Sequence, residues 1–238
     1  MFASSTVPGL SWRGITPPLA LSDYKVIAFD MDSTLISIET LDEMADLMGK
    51  KAEVAALTEA AMRGEIVDYK QSLRDRVALL AGMPEAALDE VYEQRLRINP
   101  GAEALIAACK AAGLTCLLVT GGFTCFTDRL RLRLGLDDVR ANVLEVTQGR
   151  LTGRLLPQGW GDICDGNEKR RKLLEVCASL GVGPERAIAV GDGANDLPMM
   201  RAAGLSVGYR AKPAVRQEAM VAIDEGGLDR LLELMRRN

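Results

Sequence analysis

Lys25-Val-Ile-Ala-Phe-Asp-Met-Asp-Ser-Thr-Leu35 is the stretch from which the fold can be read. Val26 to Phe29 is a short apolar run rich in β-branched and aromatic residues, the pattern of a buried strand. It stops at two carboxylates, Asp30 and Asp32, followed by Ser33 and Thr34. In an extended chain residues i and i+2 point the same way, so both acids are expected to face one spot at the strand's C-terminal end. Parallel α/β sheets keep their ligands at that end. Two carboxylates this close raise each other's pKa unless they share a proton or a cation. The pattern suggests a hard, oxygen-preferring metal such as Mg²⁺, or a nucleophile beside an acid. A strand followed by an Asp/Ser turn would look the same in isolation, so the decision falls to what comes downstream.

After Thr34 the sequence is helical in period. Ile38, Leu41, Met44, Ala45 and Met48 share one face, ending near Gly49. Val54, Leu57, Ala61 and Met62 share a second, closed by Gly64. Tyr69, Leu73, Arg76, Val77 and Leu80 mark a third ending at Gly82, and Leu88, Val91, Tyr92 and Leu96 a fourth with Pro84 near its start. Four helices with short links predict an inserted bundle over residues 38–97, and Asn99-Pro100-Gly101 is the turn out of it. Helices and strands then alternate. A helix near 102–112 precedes a strand over 114–119, a tight turn at Thr120-Gly121-Gly122 and a helix over 123–134. Gln148-Gly149 joins 142–146 and 150–155 as a hairpin. A helix over 167–180 leads to a strand over 187–190, which opens into Gly191-Asp-Gly-Ala-Asn-Asp196. Two short strands, 205–207 and 221–223, follow. The expected fold is α/β, a parallel Rossmann-like sheet flanked by helices, with a helical-bundle cap inserted after its first strand. The core is then 25–37 plus 98–238. Residues 1–24 have proline and glycine but no periodicity and lack the profile of a signal peptide; they read as a loosely ordered extension or a packed arm.

Composition narrows the chemistry. The 238 residues are 48% apolar and 26% charged, ordinary for a globular chain with a good core. A net charge of −4 argues against nucleic acid or an anionic membrane as partner, and no apolar run approaches the roughly 18 residues of a membrane span. The basic runs at Arg129, Arg131 and Arg133 and at Lys169 to Lys172 read as solvated helix faces, Lys169 apart. Cys109, Cys116, Cys125, Cys164 and Cys177 are odd in number and form no Cys-x-x-Cys pair, so reduced, buried thiols in a cytoplasmic protein are expected. There is no histidine, which excludes Ser-His-Asp and Cys-His triads and any His-containing metal site. Chemistry must run on carboxylates, hydroxyls, lysine and backbone.

Four clusters supply those groups: Asp30 with Asp32, Thr120-Gly121-Gly122, Lys169, and the loop Gly191 to Asp196. A hydroxyl and backbone N–H groups ahead of a helix can cradle an anion. The Gly191 loop is not a dinucleotide fingerprint, since its two acids would repel a pyrophosphate, and no P-loop is present.

Acid pair, hydroxyl, lysine and acid pair, in that order, resemble the motifs of the haloacid dehalogenase superfamily of phosphohydrolases. The similarity extends to its phosphoserine phosphatase family through Phe29-Asp-Met-Asp-Ser-Thr-Leu35 with Glu39, Gln71-Ser-Leu-Arg-x-Arg76-Val, Thr120-Gly-Gly-Phe123 and Gly191-Asp-Gly-Ala-Asn-Asp196. It covers about residues 25–236. Thr120 stands where many members have serine, and Met31 where phenylalanine is common. The resemblance implies hydrolysis of O-phospho-L-serine, the last step of serine biosynthesis, with Asp30 as nucleophile and Asp32 as acid and base. It implies Mg²⁺ held by Asp30, Asp192 and the backbone carbonyl of Asp32. Thr120, the N–H of Gly121 or Gly122, and Lys169 would share the phosphate charge, with Asp196 supporting Lys169. Glu39 and Arg76 would hold the substrate's ammonium and carboxylate, with Tyr69 and Asn195 lining the pocket. A small phosphomonoester is thus the expected partner, bound by a monomer or homodimer. Phosphohomoserine or a nucleotide stays open as substrate, and so does a non-catalytic phosphate-sensing domain.

Overall fold

In the computed structural model, which describes residues 3–4, 8–63 and 68–236, nine strands form one mixed sheet. They are β1 (Ala3–Ser4), β2 (Leu10–Trp12), β3 (Val26–Phe29), β4 (Thr115–Phe123), β5 (Asp138–Thr147), β6 (Arg150–Leu156), β7 (Ala187–Gly191), β8 (Leu205–Tyr209) and β9 (Val221–Ile223). Their order across the sheet is β1-β2-β9-β8-β7-β3-β4-β5-β6. The six strands from β9 to β5 are parallel neighbour to neighbour; the arm strand β2 and the hairpin strand β6 run antiparallel. Phe29 of β3 stands opposite Leu118 on one side and Val190 on the other. From β3 the chain goes first to β4 and later to β7, so the strand order reverses at β3. A crevice opens at such a switch point, outside the strands' C-terminal ends.

β3, β7 and β8 are buried at every residue. Helices cover both faces, which is why these strands read as unbroken apolar runs instead of alternating ones. Between β3 and β4 lie α1 (Thr40–Leu47), α2 (Lys51–Met62), α3 (Tyr69–Ala78), α4 (Ala86–Glu90) and α5 (Ala102–Ala111). Met44, Leu73, Val77, Leu80 and Val91 are buried together, giving the inserted helices an apolar centre. Asp68 caps α3 by accepting from the Gln71 N–H at 3.0 Å. The expected stop of α2 at Gly64 lies outside the described residues. The remaining helices are α6 (Thr124–Leu134), α7 (Gly166–Ser179), α8 (Leu197–Ala202) and α9 (Pro213–Glu218).

Two expectations need correction, and of the two readings of the segment before β3 the packed arm is the one seen. Thr120-Gly121-Gly122 is not a turn: β4 runs on to Phe123 with a register irregularity after Val119, and α6 begins at Thr124. Neither glycine has positive φ. Lys172 is not solvated but 5% exposed, drawn in by Asp138 at 2.6 Å and Glu175 at 3.0 Å. The segment before β3 packs where it is described, and residues 1–2 and 5–7 lie outside the description. β2 adds an antiparallel strand to β9, with Leu10 opposite Ile223 and 1% exposed. The hairpin agrees with its sequence signal: Gln148 (φ 51°) and Gly149 (φ 69°) both adopt the left-handed conformation of a two-residue turn.

Because Leu10 is a full member of the core, Leu10→Ala should cost about 2–5 kcal/mol of stability in urea unfolding. A loss under about 0.5 kcal/mol, the size of an ordinary surface change, would show that the arm is not integral.

Candidate active site

At the switch point the Lys169 ammonium is wholly buried, 2.6 Å from Asp30 Oδ1 and 2.7 Å from Asp196 Oδ1. Its placement starts with Asp165, which accepts from the Glu168 N–H at 2.9 Å and so starts α7 one turn before Lys169. Asp196 is held in turn by the N–H groups of Asp192 and Gly193, each donating to Oδ2 at 3.0 Å. Asp30 Oδ1 also accepts from the Met31 N–H at 2.7 Å, and Asp192 Oδ1 from the Thr34 hydroxyl at 2.9 Å. Asp30, Asp192 and Asp196 each offer an oxygen, all within 4.8 Å of one another, a set that could hold a cation. Both oxygens of Asp196 are occupied. Asp30 and Asp192 each keep an Oδ2 that accepts no hydrogen bond among the described residues.

Strand alternation does not bring Asp32 to Asp30, because the chain leaves the sheet at Phe29. Residues 31–35 form one wide turn in which Asp32 is extended (φ −63°, ψ 136°) and Ser33 left-handed (φ 55°). The Ile36 N–H closes it onto Met31 O at 3.0 Å, and Asn99 Nδ2 pins it by donating to Thr34 O and Ile36 O at 2.8 and 3.0 Å. Asp32 Oδ1 then accepts the Thr40 N–H at 2.9 Å, at the start of α1. Glu39 accepts from the Ser33 hydroxyl at 2.6 Å.

Asp30, Asp32, Glu39, Arg76 and Thr120 line one cavity together with Asn195. On its β4 wall the Gly122 N–H donates to Thr120 Oγ1 at 2.9 Å, so it is already engaged. Gly122 is there for space: a Cβ would stand 2.5 Å from Met31 Cε and 3.1 Å from Asp32 Oδ2. Arg76, 2% exposed, donates from Nε to Ser72 O at 3.2 Å and from Nη1 to Thr58 Oγ1 at 3.0 Å. Its Nη2 is buried without a partner, and so is Asn195 Oδ1. Unsatisfied buried groups on a cavity wall are what a polar ligand would complete.

Burial dominates the electrostatics. It pushes Asp30 up to about 6, helped by the charge of Asp196 and opposed by Lys169. Glu39 is pushed up to about 7, again chiefly by burial, against the Ser33 hydrogen bond. Asp32 is raised well above the carboxylate range by burial, then by Glu39 and Asp30; Asp192 is raised by burial, then by Asp196 and Asp30. Burial alone would lower Lys169, but Asp196 and Asp30 together hold it well above its ordinary value. The thiols are no nucleophiles: all five are free, and burial pushes Cys125 and Cys164 up to about 12.

The geometry thus gathers every residue singled out from sequence. It adds some that sequence reasoning passed over. Thr58 and Asp42 (2.8 Å apart) back up Arg76, and Ser33 and Thr34 orient Glu39 and Asp192. Asn142, 1% exposed, joins the β4 wall to the α7 entry, donating to Gly121 O and accepting from the Cys164 N–H, both at 2.8 Å. A polar residue inside an apolar strand run was the one available signal for it.

With divalent ions chelated, these raised carboxyls bind protons in the folded state that the unfolded chain has already released. Stability should therefore be greatest near pH 5 and fall as pH rises through about 6–7. The chain has no histidine to titrate there, and ordinary carboxylates are ionised throughout. Melting temperatures in chelator between about pH 5 and about pH 7.5 measure this, and a steady rise across that window would contradict it.

A family profile described as haloacid dehalogenase-like hydrolase matches residues 27–201. A phosphoserine phosphatase of Polaromonas sp. strain JS666 is 68% identical over 229 residues, spanning 96% of this chain and 97% of the relative. One from Albidiferax ferrireducens strain T118 is 64% identical over 234 residues, spanning 98% and 99%. A solved structure described as a phospho-aspartyl intermediate analogue of phosphoserine phosphatase superposes with a TM-score of 0.83 at 36% identity, covering 90% of this chain and 99% of that one.

Proposed function

The chain belongs to the haloacid dehalogenase-like hydrolases, and from that premise we propose that it hydrolyses O-phospho-L-serine to L-serine and phosphate through an aspartyl-phosphate on Asp30. The observation that carries this reading is the pairing of two chemistries in one cavity. Asp30 and Thr120 line it together with Glu39 and Arg76, an acid and a base suited to an ammonium and a carboxylate. Proteins alike over nearly their whole length carry the phosphoserine phosphatase name, which supports the same substrate over phosphohomoserine or a nucleotide.

The two acids differ as their roles require. With a pKa of about 6, Asp30 is mostly ionised at neutral pH and is oriented by Met31 and Lys169, so its carboxylate can attack phosphorus. Asp32, raised further, holds a proton to give to the departing serine oxygen as the phosphorus–oxygen ester bond breaks. Asp32 then takes a proton from water as that water attacks phosphorus and frees Asp30. Thr120 and Lys169 would hold the phosphoryl oxygens, and Arg76 Nη2 the substrate carboxylate. Helices α1 to α4, residues 38–97, would act as the cap that excludes water. Ion pairs already join them to the core: Glu59 to Lys212 at 3.0 Å, Lys70 to Asp162 at 2.9 Å and Arg74 to Asp162 at 2.5 Å.

Mg²⁺ fits the donor set. The free oxygens of Asp30 and Asp192 are hard donors whose burial is unfavourable without a cation, and the Asp32 carbonyl would complete the protein's share. When bound, such an ion would neutralise the charge gathered on the carboxylates and the phosphoryl group. No helix among the described residues is long and apolar enough to cross a membrane. The free thiols fit a reducing cytoplasm.

Phosphate release from phosphoserine should continue through many turnovers with Mg²⁺, stop in chelator, and be abolished in Asp30→Asn, whose amide cannot attack. Release that ends near one equivalent would point to a sensing domain. Wild-type rates in Asp30→Asn would exclude the covalent route.

Specificity should separate from chemistry. Arg76→Ala removes a charge-assisted contact worth about 1.5–3 kcal/mol, so kcat/KM for phosphoserine should drop roughly 10- to 150-fold. An aryl phosphate, which lacks the carboxylate, should be hydrolysed almost as before, and Glu39→Gln should show the same selectivity through the ammonium. Equal losses on both substrates would mean that these residues only hold the cap together.

A further inference from the structure

We infer that the Tyr69 hydroxyl donates a hydrogen bond to a phosphoryl oxygen of the bound ester, beside Thr120 and Lys169. The inference rests on the cavity taking a phosphomonoester. Tyr69 opens α3, so the inserted helices, and not the sheet, deliver this group. Its side chain lines the cavity, with the Arg76 guanidinium 5.9 Å from its ring centre. The hydroxyl lies against Gly121 so closely that a Cβ there would collide with it. Gly121 follows Thr120 directly on β4, and both residues line the cavity with Tyr69.

Three facts point to a ligand as its partner. Tyr69 is partly buried, and its hydroxyl faces the cavity without a hydrogen bond among the described residues, where a phenol ordinarily finds an acceptor. It lines the cavity together with Asp30 at one end and Arg76 at the other. Burial pushes the phenol up to about 12, so it remains an O–H donor under working conditions. The donor supply at the phosphate end also leaves room for it, because the Gly122 N–H is engaged by Thr120. A phosphate monoester presents three non-bridging oxygens with several acceptor directions each, more than one hydroxyl, one ammonium and the Gly121 N–H satisfy. A donor that arrives on the inserted helices also ties their closed position to the phosphoryl group itself.

Tyr69→Phe removes the oxygen and keeps the ring. With Mg²⁺ present, kcat/KM for phosphoserine and for an aryl phosphate should fall together, roughly 10- to 100-fold, and the Kd of inorganic phosphate measured by calorimetry should rise by a similar factor. The melting temperature should change little, since no hydrogen bond of the hydroxyl among the described residues is lost. A loss confined to phosphoserine, with phosphate affinity intact, would assign the hydroxyl to the amino-acid end and overturn the proposal. Unchanged affinity and rates would overturn it as well. If the wild type ignores phosphoserine but Tyr69→Phe still weakens phosphate binding, the substrate assignment fails and this inference stands.

Discussion

The buried ammonium of Lys169 is the constraint on which the site depends. A charge removed from water persists only when paired and hydrogen-bonded, and Lys169 meets that condition through Asp30 and Asp196. The same two contacts fix Asp30 at the end of β3 and join it to the loop after β7. Asp196 can serve because the Asp192 and Gly193 N–H groups hold its other oxygen. One ammonium cannot balance Asp30, Asp192 and Asp196 together. Burial first, and the excess negative charge second, raise Asp30 and Asp192, and a divalent cation would offset that charge.

The sheet makes this meeting possible. β3 is flanked by β4 and β7 in parallel register, so Asp30, Thr120 and Asp192 arrive at one edge from strands far apart in sequence. The inserted helices come from the opposite side and bring Arg76, Tyr69 and, at their entry, Glu39. Ion pairs at two places join them to the rest of the chain. The wide turn after Asp30 has a double duty, since it carries Asp32 inward and starts the chain toward α1.

Arg76 illustrates how specificity is prepared without a ligand. Ser72, Thr58 and, behind it, Asp42 leave the guanidinium one unpaired nitrogen on the cavity wall. Such preorganisation lowers the ordering cost of binding. On the proposed function it would also make the pocket selective, because a ligand without a carboxylate would leave a buried donor unsatisfied.

The alternation of apolar runs with glycine- and acid-bearing turns already defined the α/β sheet, the inserted helices, the hairpin at Gln148-Gly149 and the four clusters of chemistry. Those features are local: a buried strand, a cap residue or a left-handed turn is set by neighbours within a few positions. Non-local contacts decided the rest. Whether Thr120-Gly121-Gly122 turns or stays extended depended on β5 beside it and on the space needed by Met31, Asp32 and Tyr69, none of them near in sequence. Lys172 looked like its exposed neighbours until Asp138, from another strand, drew it in. The arm strand β2 carried no periodicity because it is three residues long and takes its hydrogen bonds from β9, more than two hundred residues away. Sequence could name Asp30, Lys169 and Asp192 as reactive types; only the fold could bury them together, and burial is the largest cause of the raised Asp30 and Asp192.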